Sequence, residues 1–361
     1  MLGLAHTSHV EFLSRRSARA VSSRTVVTIV AAALLFVLGG AERLFAQKDT
    51  IEVFDGADLQ NVEITAAKWD SVAYKLGKTP QTIESAKVKD LKRDSSRMRP
   101  IRDAIKKGDF PQADKLLDAI LGGSGADWEK AEAAYRRGEL HLRWSGKDPS
   151  KLASAETVLA DYLKAQKTAK DFYVPAATLA LGKVYLEGGK FKEAGETFRT
   201  LKEFGGETGR WGLRGKLGAA WVSLKEEGAK GALAAKESFI GVINSSGVPA
   251  DLKQEALLGQ ASALNIEKLY DQTISLLNKS FFEVKEPSYD EHFAEASRSM
   301  GEAVWGKKDL DTAEIWLLQA AYFSEALYPA VYRNAAKSLV ALYEERKQPD
   351  RVKEWQAKLA M

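Results

Sequence analysis

The sequence of 361 residues contains no cysteine and only four histidines. Without cysteine the chain has no disulfide bond, no thiolate nucleophile, no Cys-ligated zinc or iron–sulfur centre and no lipid-carrying cysteine. His6 and His9 lie near the amino terminus, so His141 and His292 are the only histidines in the rest of the chain. Two histidines so far apart in sequence do not indicate a metal site, and none is predicted.

A large excess of charge of one sign is also missing. The chain has 53 Lys and Arg against 49 Asp and Glu, which gives a formal net charge of +4 at pH 7. For a chain of this length, so small a basic excess argues against a dedicated nucleic-acid-binding protein. The composition, 45% hydrophobic and 28% charged, is typical of a chain that buries a core in one large domain or in two to three ordinary ones.

Residues 1–46 have the pattern of an export signal. Four arginines precede the thirteen-residue uncharged run Val26–Leu38, and small residues follow it. Because a membrane-spanning helix needs about 20 apolar residues, we predict a signal peptide cleaved after Ala41 or Ala46 and a periplasmic or secreted protein. An uncleaved membrane anchor is the alternative, since the apolar run can extend past Gly39. Loss of residues 1–46 removes five basic and two acidic residues and leaves 48 against 47, so the mature chain is nearly neutral.

Residues 47–92 are predicted to form a small β module. Apolar and polar residues alternate from Thr50 onward, and turns are indicated at Asp55-Gly56 and Gly77-Lys78. The apolar strand positions are Ile51, Val53, Val62, Ile64, Val72, Tyr74 and Leu76, with Ile83, Val88 and Leu91 for one or two further strands. The module resembles SH3-like and other small β-barrels in size and turn spacing. Its core is small, so we expect packing against the following residues to complete it.

Two roles for this module stay open. It either caps or docks onto the rest of the chain, which we favour, or it presents Trp69 and Tyr74 as an aromatic recognition surface.

The chain has one strongly basic run, residues 87–107. Nine basic side chains stand against three acidic ones, and the basic ones are Lys87, Lys89, Lys92, Arg93, Arg97, Arg99, Arg102, Lys106 and Lys107. We favour a solvated linker that leads into a first helix. The alternative is contact with an anionic membrane surface, because clustered basic side chains raise the local potential.

Residues 93–361 are predicted to be helical and repetitive. Leu181-Gly182, Tyr185, Ala194 and Phe198 are spaced as in the signature of the tetratricopeptide repeat (TPR), a family that this segment therefore resembles. In that signature the small residues lie where two helices cross, and the aromatic residues fill the space around the crossing. Partial copies begin at Gly108, Arg137-Gly138, Leu217-Gly218, Ala261, Met300-Gly301 and Val340. We predict a mainly α fold, a TPR-like α-α superhelix of about seven helix pairs that follows the β module.

The resemblance implies a groove lined by the first helix of each pair, in which a protein or peptide partner would bind. Alignment of the copies predicts ten groove residues of mixed charge: Tyr135, Glu139, Arg143, Lys183, Glu187, Asn265, Arg298, Glu302, Trp305 and Lys337. They do not reproduce the Lys, Asn and Arg clamp with which some family members bind a carboxyl terminus. Solvated side chains with no ligand are the alternative.

Motifs of catalysis and of cofactor binding are not found. Gly122-Gly123-Ser124-Gly125 lacks the Lys-Ser/Thr ending of a phosphate-binding loop, and no Gly-x-Ser-x-Gly sequence occurs. His141 takes the place of Tyr185 in its own repeat, so we expect a packed core residue. No catalytic, cofactor-binding or metal-binding residue is predicted. The sequence favours an exported, non-enzymatic scaffold of the bacterial cell envelope that binds a protein, with a module for envelope polysaccharide or an anionic membrane as the alternative.

Overall fold

The structure is a computed structural model that describes residues 49–285 and 290–360. The predicted signal peptide lies outside the described residues. The described residues form one compact unit. Within the described ranges, no helix combines the length and the apolar character needed to cross a membrane.

Five short strands form the β module. They are β1 (Asp49–Val53), β2 (Leu59–Ala67), β3 (Ser71–Leu76), β4 (Thr79–Glu84) and β5 (Val88–Lys92). Neighbouring strands are antiparallel in the order β4-β3-β2-β1-β5, so β4 and β5 are the edges of the sheet. Ile51 on β1, Val62 on β2 and Val72 on β3, all predicted apolar positions, are almost completely buried, whereas Leu76 at the end of β3 is 57% exposed. The predicted β module is confirmed.

The described residues after the β module form fourteen α-helices. Their bounds are α1 (Met98–Lys106), α2 (Phe110–Leu121), α3 (Asp127–Trp144), α4 (Ser150–Gln166), α5 (Val174–Glu187), α6 (Phe191–Thr200), α7 (Arg210–Glu227), α8 (Ala232–Ile243), α9 (Ala250–Ile266), α10 (Tyr270–Leu277), α11 (Glu291–Gly306), α12 (Leu310–Ser324), α13 (Pro329–Glu345) and α14 (Pro349–Ala360). Consecutive helices pack as seven antiparallel pairs, which confirms the predicted number. Short helical turns extend α6 at Leu201–Phe204 and α10 at Asn278–Phe282.

Small residues allow the close helix crossings that the repeat signature predicts. A Cβ atom on Gly182 would lie 2.5 Å from Cε1 of Phe198, and one on Gly218 would lie 2.4 Å from Cδ1 of the same ring. Phe198 of α6 therefore packs against the first helix of its own pair and against that of the next pair. Gly138 faces Leu159 in the same way. These contacts repeat along the chain and bury a continuous series of apolar clusters.

The turn between the two helices of a pair recurs with one left-handed residue. This residue has a positive φ in five pairs: Gly108 (73°), Gly189 (71°), Lys268 (61°), Lys308 (70°) and Lys347 (57°). Glycine adopts this conformation freely, whereas a lysine does so at a cost.

The β module packs directly on the helices, as its small core predicts. One hydrophobic cluster includes Ile51, Val72 and Leu91 together with Tyr173 and Phe198. At the edge of this cluster the ring of Trp69 packs edge-on against Phe204, with ring centroids 5.1 Å apart. The backbone N–H of Trp69 donates to the carbonyl of Lys170 at 3.0 Å. The module thus docks through both side chains and backbone.

The basic run at residues 87–107 leads into the first helix, as predicted, but it is folded for most of its length, so the prediction of a solvated linker is wrong. It contains β5 and α1, and Val88, Leu91, Met98 and Ile101 are buried. Most of its charges have partners: Lys87 pairs with Glu84, Lys92 with Glu52, Arg97 with Glu129, Arg99 with Asp94 and Arg102 with Glu132, and Arg93 lies over Trp128. Glu52, Glu129, Glu132 and Trp128 are distant in sequence from the side chains that they contact, so the local sequence cannot show these contacts.

The seventh helix pair returns to contact the second. Gly146, in the turn between α3 and α4, lies against Pro329 and Ala330 at the start of α13. A Cβ atom on Gly146 would lie only 2.5 Å from the backbone nitrogen of Ala330. The helix pairs from the second to the seventh therefore form a closed arrangement, in which the seventh pair contacts the second.

Candidate functional site

The first helices of the pairs (α1, α3, α5, α7, α9, α11 and α13) lie side by side and form one face of the helical repeat, here called the first-helix face. Several predicted groove residues link one first helix to the next. Glu187 on α5 pairs with Lys225 on α7, with 2.7 Å between Oε1 and Nζ. Asn265 on α9 donates from Nδ2 to the carbonyl of Ser299 on α11 at 2.9 Å. Glu187 and Asn265 thus lie on first helices, as predicted, and each bonds to the neighbouring first helix.

Arg298 on α11 is held between two carboxylates. Its guanidinium bonds to Glu295 and to Glu302, three and four residues away on the same helix. Burial lowers the pKa of Arg298, but the two carboxylates outweigh this effect and raise it above its usual value. Glu302 also accepts from Oγ of Ser338 on α13 at 3.3 Å. Arg298 and Glu302, both predicted groove residues, therefore belong to one local network of charged and polar side chains.

Trp305 is tied to the last pair. Its indole Nε1 donates to Oε2 of Glu345 on α13 at 2.8 Å, and Lys308 binds the other carboxylate oxygen at 3.1 Å. The hydrogen bond from the indole is the main reason that the pKa of Glu345 is lowered. Trp305 is half-buried, so one part of its ring remains open to solvent.

Tyr135 is covered by the β module. Its ring stacks on Tyr173, with centroids 4.6 Å apart, and only 6% of the residue is exposed. Val88 and Asp90 of β5 line the same small cavity as both rings. In this position the Tyr135 ring does not face an open groove, because the module occupies the first-helix face of α3.

The remaining predicted groove residues differ in accessibility. Glu139 is half-exposed and pairs with Arg136 at 3.4 Å. Arg143 donates to the carbonyl of Leu327 at 3.0 Å, across the contact between the second and seventh pairs. Lys183 and Lys337 are exposed and form no ion pair with the residues that the structure describes. The ten residues thus do not meet in one cluster but are spread over five first helices, α3, α5, α9, α11 and α13.

Sequence reasoning missed a buried ion cluster between the β module and the helices. The cluster contains Asp90 of β5, Arg93 directly after β5, Arg102 of α1, and Glu132 and Arg136 of α3. Glu132 is 2% exposed, and its Oε1 lies 3.7 Å from Nε of Arg136 and 3.9 Å from Nη1 of Arg102. Burial raises the pKa of this carboxyl group. Glu132 and Arg136 are four residues apart on one helix, and this spacing is the one feature of the local sequence that indicates part of the cluster.

A second charged network joins the β module to α7 and α9. The guanidinium of Arg210 stacks on the ring of Phe54 and bonds to Asp251. Arg214, one helical turn later, bonds to Asp251 at 3.0 Å and to Glu255 at 3.3 Å. The amino-terminal ends of α3, α5 and α7 are thus the docking site of the β module.

The cavities at this junction are too small for an ordinary ligand. Two have volumes of about 10 and 50 Å³, whereas small-molecule sites have roughly 300–1,000 Å³. The smaller cavity touches Glu132 and Arg93, each of which has a buried atom with no hydrogen-bond partner. Such a space fits one or a few water molecules.

His141 is a packed core residue, as predicted. It is 3% exposed, and its Nε2 lies 2.9 Å from Oδ1 of Asp114. Burial lowers the pKa of the imidazole despite this carboxylate. In residues 49–285 and 290–360, no group of three or more His, Asp or Glu side chains could hold a metal ion.

No protein-family model and no curated protein matches the chain. Among solved structures, NprR in complex with its cognate peptide NprX shares 16% sequence identity over 73% of this chain and 75% of its own, with a TM-score of 0.51. A tetratricopeptide repeat protein from Parabacteroides merdae shares 16% identity over 73% of this chain and 90% of its own, with a TM-score of 0.46. A Rap protein complexed with Competence and Sporulation Factor shares 12% identity over 73% and 74%, with a TM-score of 0.47.

At such low identity a structural likeness reports on the fold. The seven helix pairs, their crossings at small residues and the match to NprR agree. The chain has a TPR-like helical-repeat fold, preceded by a five-stranded antiparallel β module.

Proposed function

We propose that this chain is an exported, non-enzymatic scaffold of the bacterial cell envelope that binds a protein or peptide partner through the first-helix face. The observation that carries the proposal is the character of this face between α5 and α13. Polar and charged side chains line it, and Lys183 and Lys337 project from it without ion-pair partners among the described residues. A TPR-like repeat presents such a face to a partner chain, and the structurally similar NprR was solved with a peptide.

Export is supported by the sequence of residues 1–46, with its arginines followed by a short apolar run. Fractionation of cells that express the full chain tests this part. We expect a soluble periplasmic or secreted protein whose amino terminus, read by sequencing, follows Ala41 or Ala46. A full-length protein in the membrane fraction would support the uncleaved anchor instead.

Partner binding is tested by capture from envelope extract with charge-reversed variants. We expect Lys183→Glu and Lys337→Glu to lose captured partners, because both invert an unpaired charge on the first-helix face. Lys192→Glu is the matched control, since Lys192 is an exposed lysine on the second helix α6. Trp305→Ala tests the one half-exposed Trp of the predicted groove. Equal capture by all four variants and the wild type would rule out this face as the binding surface.

The alternative functions have less support from the described contacts. The aromatic residues suggested for polysaccharide binding are engaged, Tyr135 under the β module and Trp305 with Glu345. Among the described residues, five of the nine basic side chains of residues 87–107 pair with acidic groups and Arg93 lies over Trp128, which leaves Lys89, Lys106 and Lys107 for an anionic membrane. Binding to anionic liposomes over a salt series tests the membrane alternative. An electrostatic contact with lipid head groups would weaken as the salt concentration rises.

A further inference from the structure

Helix pairs of a solenoid normally contact only their neighbours in sequence. Here the second and seventh pairs meet although more than 180 residues separate the contacting groups, as between Arg143 and Leu327. Glycine allows the approach, since a Cβ on Gly146 of the second pair would lie 2.5 Å from the nitrogen of Ala330. The turn of the first pair contacts the same segment, because a Cβ on Gly108 would lie 2.5 Å from the carbonyl oxygen of Ala326, which precedes α13. Backbone therefore packs on backbone at this point.

Two arginines hold the contact from opposite sides. Arg143, in the last turn of α3, donates to the carbonyl of Leu327 at 3.0 Å. Arg333 of α13 donates to the carbonyls of Ser145 and Lys147, each at 3.4 Å. These two carbonyls follow the end of α3, where backbone acceptors lack helical partners and the helix dipole favours a positive charge.

This closing contact differs in kind from the interfaces between neighbouring pairs. Those interfaces are apolar clusters, and none of the clusters among the described residues joins α3 to α13. Glycine backbone and two partly exposed arginines make the closing contact instead. Segments with few buried apolar contacts open at the lowest free energy, so this is the place where the closed arrangement gives way first.

We propose that the contact between the α3–α4 turn and the start of α13 is a reversible clasp that encloses the first-helix face and sets how readily a large molecule reaches it. Its effect on access rests on the proposed function, which gives that face a partner. The clasp itself is a property of the chain alone and is tested without any partner.

The absence of cysteine makes a distance measurement simple. Spin labels on Lys147→Cys and Asn334→Cys flank the clasp, and their distance distribution is read by pulsed electron paramagnetic resonance. We expect one short distance in the otherwise wild-type chain. Adding Gly146→Val, whose side chain would collide with Pro329 and Ala330, should produce a second, longer distance. Gly241→Val is the matched control, because nothing lies within 4 Å of a Cβ at that exposed helical glycine.

Arg333→Gln provides a second opening variant that introduces no collision, in case Gly146→Val does not fold. It removes the charge that binds the carbonyls of α3 and should also populate the longer distance. If the wild-type background already shows mainly long distances, or if neither variant changes the distribution, the clasp does not exist.

Access is measured by labelling one thiol with a maleimide on a long polyethylene glycol chain. Lys183→Cys places the thiol on the first-helix face, since Glu187 one turn later pairs with the next first helix. Tyr322→Cys places it on the second helix α12, where Tyr322 is 77% exposed. Opening the clasp should raise the labelling rate of Lys183→Cys about tenfold, in proportion to the population of open molecules, and leave that of Tyr322→Cys unchanged. An unchanged rate at Lys183→Cys in a chain with a broken clasp would overturn the access part of the proposal.

Discussion

At the scale of single residues, the buried carboxyl group of Glu132 stands out. It lies among Arg93, Arg102 and Arg136, yet burial raises its pKa above the usual value of 4.5. Its Oε1 has no hydrogen bond within the described chain. A carboxylate that is removed from water and incompletely bonded costs free energy, and a bound water in the adjacent cavity would reduce that cost.

Glu132→Gln should flatten the dependence of stability on pH. Because the pKa of the folded state lies above that of the unfolded chain, the folded state binds more protons, and stability falls as pH rises from about 4.5 through the raised pKa. Glutamine cannot lose a proton, so this fall should shrink in the variant. Urea unfolding at several pH values measures it, with Glu129→Gln as the control on the same helix. An unchanged slope in Glu132→Gln would show that other groups cause it.

At the scale of secondary structure elements, the crossings of helices depend on the absence of single side chains. Phe198 lies between Gly182 and Gly218, and a Cβ atom added to either glycine would lie less than 3 Å from its ring. The ring cannot move away from one helix without approaching the other. The two interfaces of α6 are therefore mechanically coupled through one aromatic residue.

Gly218→Ala should destabilise the fold by about 1–3 kcal/mol, the usual cost of overpacking a core. Gly241→Ala adds the same methyl group to an open helical position and should stabilise by up to about 1 kcal/mol, because alanine favours a helix over glycine. Free energies of unfolding in urea measure both. If Gly218→Ala proves as stable as the wild type, Phe198 has room to shift and the crossing is less constrained than its geometry indicates.

The turns between paired helices give a further prediction. Lys268 and Lys347 adopt the left-handed conformation that Gly108 and Gly189 adopt in other pairs. This conformation costs a lysine about 1–2 kcal/mol, and a glycine avoids that cost. Part of the advantage is lost because glycine makes the unfolded chain more flexible. Each Lys→Gly exchange should therefore raise the free energy of unfolding by about 0.5–1 kcal/mol. Lys253→Gly, in the exposed interior of α9, is the control and should lower it.

At the scale of the whole molecule, the β module and the helical repeat share one hydrophobic cluster. We expect them to lose structure together rather than as independent domains. Trp69→Ala removes the ring that packs on Phe204, so it should lower the free energy of unfolding by about 2–4 kcal/mol. Hydrogen exchange followed by mass spectrometry should show faster exchange in both β3 and α5. Faster exchange in β3 alone would contradict the shared cluster.

Periodicity predicted much of this architecture because it reports which face of an element is buried. Alternation located Ile51, Val62 and Val72, and the spacing of Gly182 and Phe198 located a helix crossing. The same reasoning could not show that the β module covers Tyr135, since a repeat alignment describes only contacts between repeats.

The buried ion cluster could not be predicted from the sequence for a similar reason. Asp90 and Arg136 are 46 residues apart, and only the tertiary fold brings them into contact. The bond between Trp305 and Glu345 likewise depends on how two pairs stack.

The meeting of the second and seventh pairs limits how this chain can change its length. An open solenoid grows or shrinks when a repeat is duplicated or deleted, because each pair needs only its neighbours. Here an added pair would carry Ala330 away from Gly146, and a deleted pair would drive the two together. The number of pairs between α3 and α13 is thus fixed by geometry, so relatives with the same closure should differ in side chains and loops but keep that count.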